Sequence, residues 1–334
     1  MNRKLKKTLA GLCLIGTLTL LGACGKSSAS ESHASAASDK KVVIYTNADE
    51  EPVNVIKKVL DTNGYKNKYV LQSFGTSELG GKLLAEGKHI EADLVTMSTF
   101  YLDSAQKKSQ LFKPLKLAAT PLTKVPDFEA PMTTQEGVIF YNTKALKEAN
   151  LPVPKSLAEL ADSKYKGQLS ISDIKHSSTA WLLFQALIEQ YGENKTKTIL
   201  KGIYQNAGDH IEESGSGPLK KVRVGEVALG FGLRHQAVKD KQDGLPIDYV
   251  EPTEGTYSLT ESLAVVDKGK KTNPAAEKML NLIVTKGRKE LIKDYPSALY
   301  QNESTQGLEI AKDQKVFAKK LTPELLKQHA ELAE

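Results

Sequence analysis

One stretch of the sequence gathers residue types suited to holding a small anion. Ser214, Gly215, Ser216 and Gly217 form a loop of small residues between a strand end at Ile211–Glu212 and a short helix. An apolar strand over 227–231 follows, and it delivers Arg234 and His235 at its carboxyl end. Glycines let a backbone approach a ligand closely. A helix start offers unpaired N–H groups and the positive end of a dipole. Arginine presents a planar fork that matches carboxylate, phosphonate or phosphate. His235 reads as a second donor or, preferably, as a solvated helix residue. Four more loops carry hydroxyls where a helix begins: Thr46–Asn47, Gly75–Thr76–Ser77, Met97–Ser98–Thr99 and Ser177–Ser178–Thr179. In any one of them Ser or Thr could simply cap its helix. Their recurrence in both halves of the chain points to one shared anion site. The expected ligand-binding set is therefore Thr46, Asn47, Ser77, Ser98, Ser177, Ser178, Thr179, Ser214, Gly215, Ser216 and Arg234, with Tyr257 beside them. Glu136, Glu254 and Glu261, with Glu212 nearby, could meet the ammonium of a zwitterionic ligand or stand as ordinary hinge acids.

The elements that must position these residues alternate. Strand-like runs at 41–45, 69–72 and 92–97 are each followed by a helical pattern, which predicts a parallel sheet with helices on its faces. In such sheets ligands sit beyond the carboxyl ends of the strands. A strand at 137–142 opens a second block, with a strand at 168–172, helices over 180–191 and 193–204, the loop and strand above, and a helix over 236–243. An extended segment at 256–266 returns the chain, and helices over 274–286, 289–294 and 323–333 finish it. Two extended crossings, near 133–142 and 254–264, would join two α/β lobes: 40–135 plus 262–334, and 136–261.

Residues 1–23 read as a signal segment, with Arg3, Lys4, Lys6 and Lys7 before an uncharged apolar run. That run is too short for a comfortable membrane span. It ends Leu21–Gly22–Ala23–Cys24, and residues 24–40 form a Ser/Ala-rich leash. Cys13 falls in the signal, so no disulfide is expected in the remainder. Four cations of the formal +6 charge lie in the signal, leaving about +2, which is no footprint for nucleic acid. Enzyme signatures are missing. Ser214 and Ser216 do not sit in Gly-x-Ser-x-Gly, and Gly230–Phe231–Gly232 lacks a third glycine. The six histidines are dispersed, so neither a metal cofactor nor any other cofactor is expected.

Taken together, the Cys24 lipobox, Val43–Ile44–Tyr45–Thr46, Ala92–Asp93–Leu94–Val95, Glu136–Gly137–Val138–Ile139–Phe140–Tyr141–Asn142, Tyr165–Lys166–Gly167, Ser177–Ser178–Thr179–Ala180 and Gly225–Glu226–Val227–Ala228–Leu229–Gly230 resemble the solute-binding lipoproteins of ABC importers. The nearest group holds ferric-ion and 2-aminoethylphosphonate binders. The resemblance implies a two-lobe periplasmic-binding-protein-like fold of type II with a ligand cleft between the lobes. It also implies no enzymatic activity, a lipid on Cys24, an extracytoplasmic location at the membrane, and a permease with its ATPase as partners of a monomer. Ferric binders of that group carry adjacent tyrosines where this chain has Arg234 and His235, and none of the 12 tyrosines here is adjacent to another. A cation there favours an organophosphonate over ferric iron, with polyamines and sugars below both.

Overall fold

The structure is a computed structural model and describes residues 40–334. The lipidation expected at Cys24 lies outside the described residues, as does nearly all of the expected leash. In the first lobe, β1 (Val42–Thr46), α1 (Glu50–Leu60), β2 (Tyr69–Ser73), α2 (Thr76–Glu86), β3 (Leu94–Ser98) and α3 (Thr99–Ser109) follow one another as the periodicity predicts. Every residue of β1 and β3 is buried, because helices cover both faces of that sheet. β4 (Ala130–Asn142) then leads to α4 (Thr143–Glu148), β5 (Leu169–Ser172), α5 (Thr179–Ala207), β6 (Ile211–Glu212), α6 (Gly217–Arg223), β7 (Leu229–Leu233), α7 (Arg234–Gln242) and β8 (Ile247–Val250). β9 (Thr256–Val265) brings the chain back, before α8 (Pro274–Leu282), α9 (Arg288–Asp294), β10 (Gln314–Lys315) and α10 (Pro323–Ala330). Among the described residues no helix is long and apolar enough to cross a membrane.

One sheet runs through both lobes in the order β2-β1-β3-β9-β4-β7-β5-β6, with β8 on β4 and β10 on β9. β4 is the shared strand. Its first half, from Ala130 to Glu136, pairs with β9, and its second half, from Gly137 to Tyr141, pairs with β7. Gly137 stands at that exchange because the Phe231 ring packs against it, so a Cβ there would lie 2.5 Å from the ring. β9 pairs with β4 and β3 from Ser258 to Val265 and with β10 at Thr256 and Tyr257.

Three helix boundaries differ from expectation. α7 starts at Arg234, directly on the strand end, with no intervening loop. The pair expected over 180–204 is recorded as one helix broken at Gly192, whose φ of 73° only glycine adopts readily. α8 and α9 run together through a wide turn, Ile283–Gly287. One apolar cluster spans the lobes: buried Trp181 of α5 meets Phe100 of α3 edge-on, with ring centroids 5.2 Å apart. α10 closes over the same place, where Trp181 Nε1 donates to His329 Nδ1 at 2.8 Å.

Candidate ligand-binding site

Helix starts from opposite lobes meet head to head. Ser98, which precedes α3, and Ser178, which precedes α5, bring their hydroxyls within 3.5 Å. Asp49 before α1 lies beside Ser216 before α6. Beside them Ser77 at the start of α2 donates its N–H to the His176 carbonyl at 3.4 Å. At the far end His235 of α7 lies over Tyr295, with ring centroids 4.1 Å apart. In none of these six helices, α1, α2, α3, α5, α6 and α7, does the residue just before the helix bond its side chain to the first N–H groups, although Ser177 takes the Thr179 N–H at the start of α5. Of the remaining helices, α4 is capped by Asn142, α8 by Asn273 and α10 by Thr322, while α9 continues from α8 without a side-chain cap. Positive dipole ends that face one another repel unless negative charge lies between them. These helix starts leave positive dipole ends at the boundary.

Negative charge is also built in beside it. Glu261 of β9 is buried and takes Asn47 Nδ2 at 2.8 Å and Gln135 Nε2 at 3.4 Å. Burial raises its pKa. Asp49 is pushed up to about 7, first by desolvation and then by Glu261 and Glu51. Buried His235 is pushed down to about 3 by desolvation, and neither ring nitrogen has a partner. The Tyr295 hydroxyl is also without a partner, and its pKa is raised first by burial and then by Asp49, Glu51, Glu261 and Asp294. Among the described residues no three His, Cys, Asp or Glu side chains gather as a metal site.

With this geometry in view, the comparisons decide the class. Residues 93–316 match the model of the bacterial extracellular solute-binding protein family, more than half of the chain. The chain belongs to that family. It is 31% identical over 203 residues to an Fe(3+)-binding periplasmic protein of Serratia marcescens, covering 58% of this chain and 57% of the relative. It is 26% identical over 240 residues to a spermidine/putrescine-binding periplasmic protein of Escherichia coli K12, covering 65% of each. An uncharacterized protein of Haemophilus influenzae is 26% identical over 236 residues, 66% of each chain. The chain thus spans no more than 66% of the length of these relatives. Two solved structures share its fold. The periplasmic binding protein AfuA from Actinobacillus pleuropneumoniae, with fructose-6-phosphate bound, superposes with a TM-score of 0.69 at 20% identity over 89% of this chain and 97% of that one. Iron-bound HitA from Pseudomonas aeruginosa gives 0.65 at 20% identity over 88% and 98%. The fold is the type II, two-lobe fold of periplasmic binding proteins, an extracytoplasmic class of solute binders.

Not every residue of the expected set reaches the boundary of this solute-binding protein. Asn47, Ser77, Ser98, Ser178 and Ser216 meet there. Ser177, Thr179 and Gly215 pack beside them: Ser177 Oγ accepts from the Thr179 N–H, and a Cβ on Gly215 would lie 2.1 Å from Thr179 Oγ1. Ser214 holds the loop by taking the Ser216 N–H at 3.2 Å. Thr46 is turned inward, its hydroxyl shared between Thr96 and the Ala48 N–H. Tyr257 packs edge-on to Phe317 in the apolar cluster.

Arg234 corrects the central expectation. Its guanidinium is buried and donates to Glu251 at 3.1 Å and to the Glu309 carbonyl at 2.7 Å, with Tyr249 against it. The residue after β7 that turns toward the boundary is His235, and it is buried, not solvated. Because α7 begins on Arg234 itself, the two neighbours point about 100° apart around the helix. The sequence named Glu261 among the hinge acids. Asp49 and Glu51 follow the Thr46–Asn47 loop, and an acid beside a polar loop was the available signal. Nothing in the sequence pointed to Tyr295, 246 positions from Asp49 along the chain.

Proposed function

We propose that this protein captures a small organophosphonate of the 2-aminoethylphosphonate kind between its lobes and delivers it to an ABC permease and its ATPase. The observation that supports this reading is the head-to-head meeting of the helix starts at Ser98 and Ser178. Their N–H groups and hydroxyls suit a tetrahedral oxyanion. The anion seat comprises Ser98, Ser177, Ser178, Thr179, Gly215 and Ser216, with Ser77 and Asn47 at its edge. Arg234 ties the second lobe to the closing segment through the Glu309 carbonyl. Both walls come from one chain, so a monomer suffices. We place the lobe exchanges at 136–137 and 254–257. Cys24 carries the lipid that holds the protein at the outer face of the membrane. Solved relatives of the same fold hold fructose-6-phosphate and iron, so the fold itself admits either ligand type. Ferric iron is the second reading, favoured by the identity to the Serratia marcescens protein. Titration of the purified protein tests the choice. Ser178→Tyr, which fills the seat, should abolish phosphonate binding while the protein still melts cooperatively. Unchanged binding in that variant would rule this seat out.

A further inference from the structure

The end of the chain touches both lobes, but unequally. β10 pairs with β9 at Thr256 and Tyr257, and Lys315 Nζ donates to the Glu254 carbonyl at 2.9 Å. Beyond β10, Phe317 packs edge-on against Trp181 of α5 and against Tyr257 of β9, with ring centroids 5.8 Å apart in each case. His329 of α10 is 1% exposed and takes the Trp181 N–H. The closing turn, Glu331–Ala333, lies against α5, and Glu334 pairs with Lys175 at 2.8 Å. The hold on the first lobe is of another kind. Among the described residues, the only ion pair between residues 316–334 and the first lobe joins Lys320 Nζ to Asp103 of α3, at 2.9 Å. The Lys320 side chain is 75% exposed, so water and salt screen that pair. α10 faces Ser77 and Tyr101 of the first lobe across a cavity of about 500 Å³, which Ile174 and Lys175 of the second lobe also line. Surfaces separated by a gap forfeit their dispersion contacts.

We propose that residues 316–334 form a clasp that travels with the second lobe and holds the lobes closed through Lys320 and Asp103. The lobe limits read from the sequence give residues 262–334 to the first lobe; the clasp instead crosses back at β10. When the lobes part about β4 and β9, the Trp181–His329 bond and the Phe317 contact stay with α5, because parting them would leave a buried N–H unpaired. The exposed ion pair and the wall across the cavity hold less, so they give way. Release of Lys320 from Asp103 is thus a step in opening, and its strength sets the share of closed protein. The clasp acts whatever the ligand, so it does not rest on the phosphonate reading.

Hydrogen exchange of the full, ligand-free protein tests this, read by mass spectrometry at peptides covering α10 and the starts of α3 and α5. Lys320→Glu sets like charges against Asp103 and should speed exchange at the starts of α3 and α5 about threefold or more. α10 should stay as slow in that variant as in the native protein. Adding Asp103→Lys to Lys320→Glu should restore the native rate at both helix starts. His329→Ala should speed exchange in α10 itself, because it loosens the anchor on α5. Unchanged exchange at α3 and α5 in Lys320→Glu, or a rise that Asp103→Lys does not reverse, overturns the clasp. So does a rise in α10 that accompanies the one at α3 and α5, since α10 would then not be held by the second lobe. Unaltered α10 exchange in His329→Ala overturns the anchor, and the clasp with it.

Discussion

Arg234 is held below the surface by Glu251 and the Glu309 carbonyl, and its ion pair is shielded from water on the side of Tyr249. Removing one member of a buried pair leaves an uncompensated charge, which costs about 3–5 kcal/mol. Arg234→Ala should therefore lower the melting temperature by the same amount with and without ligand. Arg234→Ala combined with Glu251→Ala should lose less than the sum of the single changes. A loss confined to the ligand-bound state would return Arg234 to the site. His235 and Asp49 act on stability in opposite directions. His235 is kept neutral, with its pKa near 3, so its contribution is present above the unfolded value of about 6.5 and is lost as pH falls below that. Asp49 holds its proton up to about 7, so the folded state is favoured at lower pH and loses that advantage as pH rises from about 4 to 7. His235→Phe should raise the melting temperature at pH 5 relative to pH 7.5, and Asp49→Asn should lower it in the same comparison. Calorimetric melts at the two pH values check both signs.

At the scale of elements, the loop before α6 lies against the start of α5. A methyl group on Gly215 would overlap the Thr179 side chain and lie 3.1 Å from Ser177 Oγ. Gly215→Ala should cost about 1–3 kcal/mol by overpacking and should weaken ligand binding as well. Unchanged binding would mean the loop moves freely and is not part of the seat. The elements were largely legible in the sequence. β1 and β3 are short apolar runs followed by helical periodicity, and the crossings at β4 and β9 show as long extended segments. The site was legible only in part. Ser98 and Ser178 are marked by their place between a strand end and a helix start. Whether they cap their own helices depends on what faces them, and that is decided by the other lobe. Arg234 illustrates the same limit. Its residue type and strand-end position were readable, but its rotation about α7 and the acid waiting at Glu251 were not. Tyr295 reaches the boundary because α9 ends beside it, a long-range contact that no local pattern encodes.

In the molecule as a whole, the chain's single tryptophan lies where the lobes join. Opening about the β4 and β9 crossings would draw Trp181 away from Phe100. Ligand-driven closure should therefore move Trp181 emission to shorter wavelength, saturating with one ligand per protein. An emission spectrum that stays fixed while calorimetry records binding would contradict a hinge at these crossings. His329→Ala should leave the buried Trp181 N–H without an acceptor and cost about 1–3 kcal/mol, which a denaturant melt would register.

The central claim is that the helix starts at the lobe boundary hold a phosphonate. Its most direct test is the melting temperature of the purified protein with 2-aminoethylphosphonate, ferric citrate or spermidine. A ligand at 100 times its dissociation constant adds about 2.7 kcal/mol to the folded state. The account expects a rise of several degrees with 2-aminoethylphosphonate and none with the other two. A rise with ferric citrate or spermidine alone would contradict it.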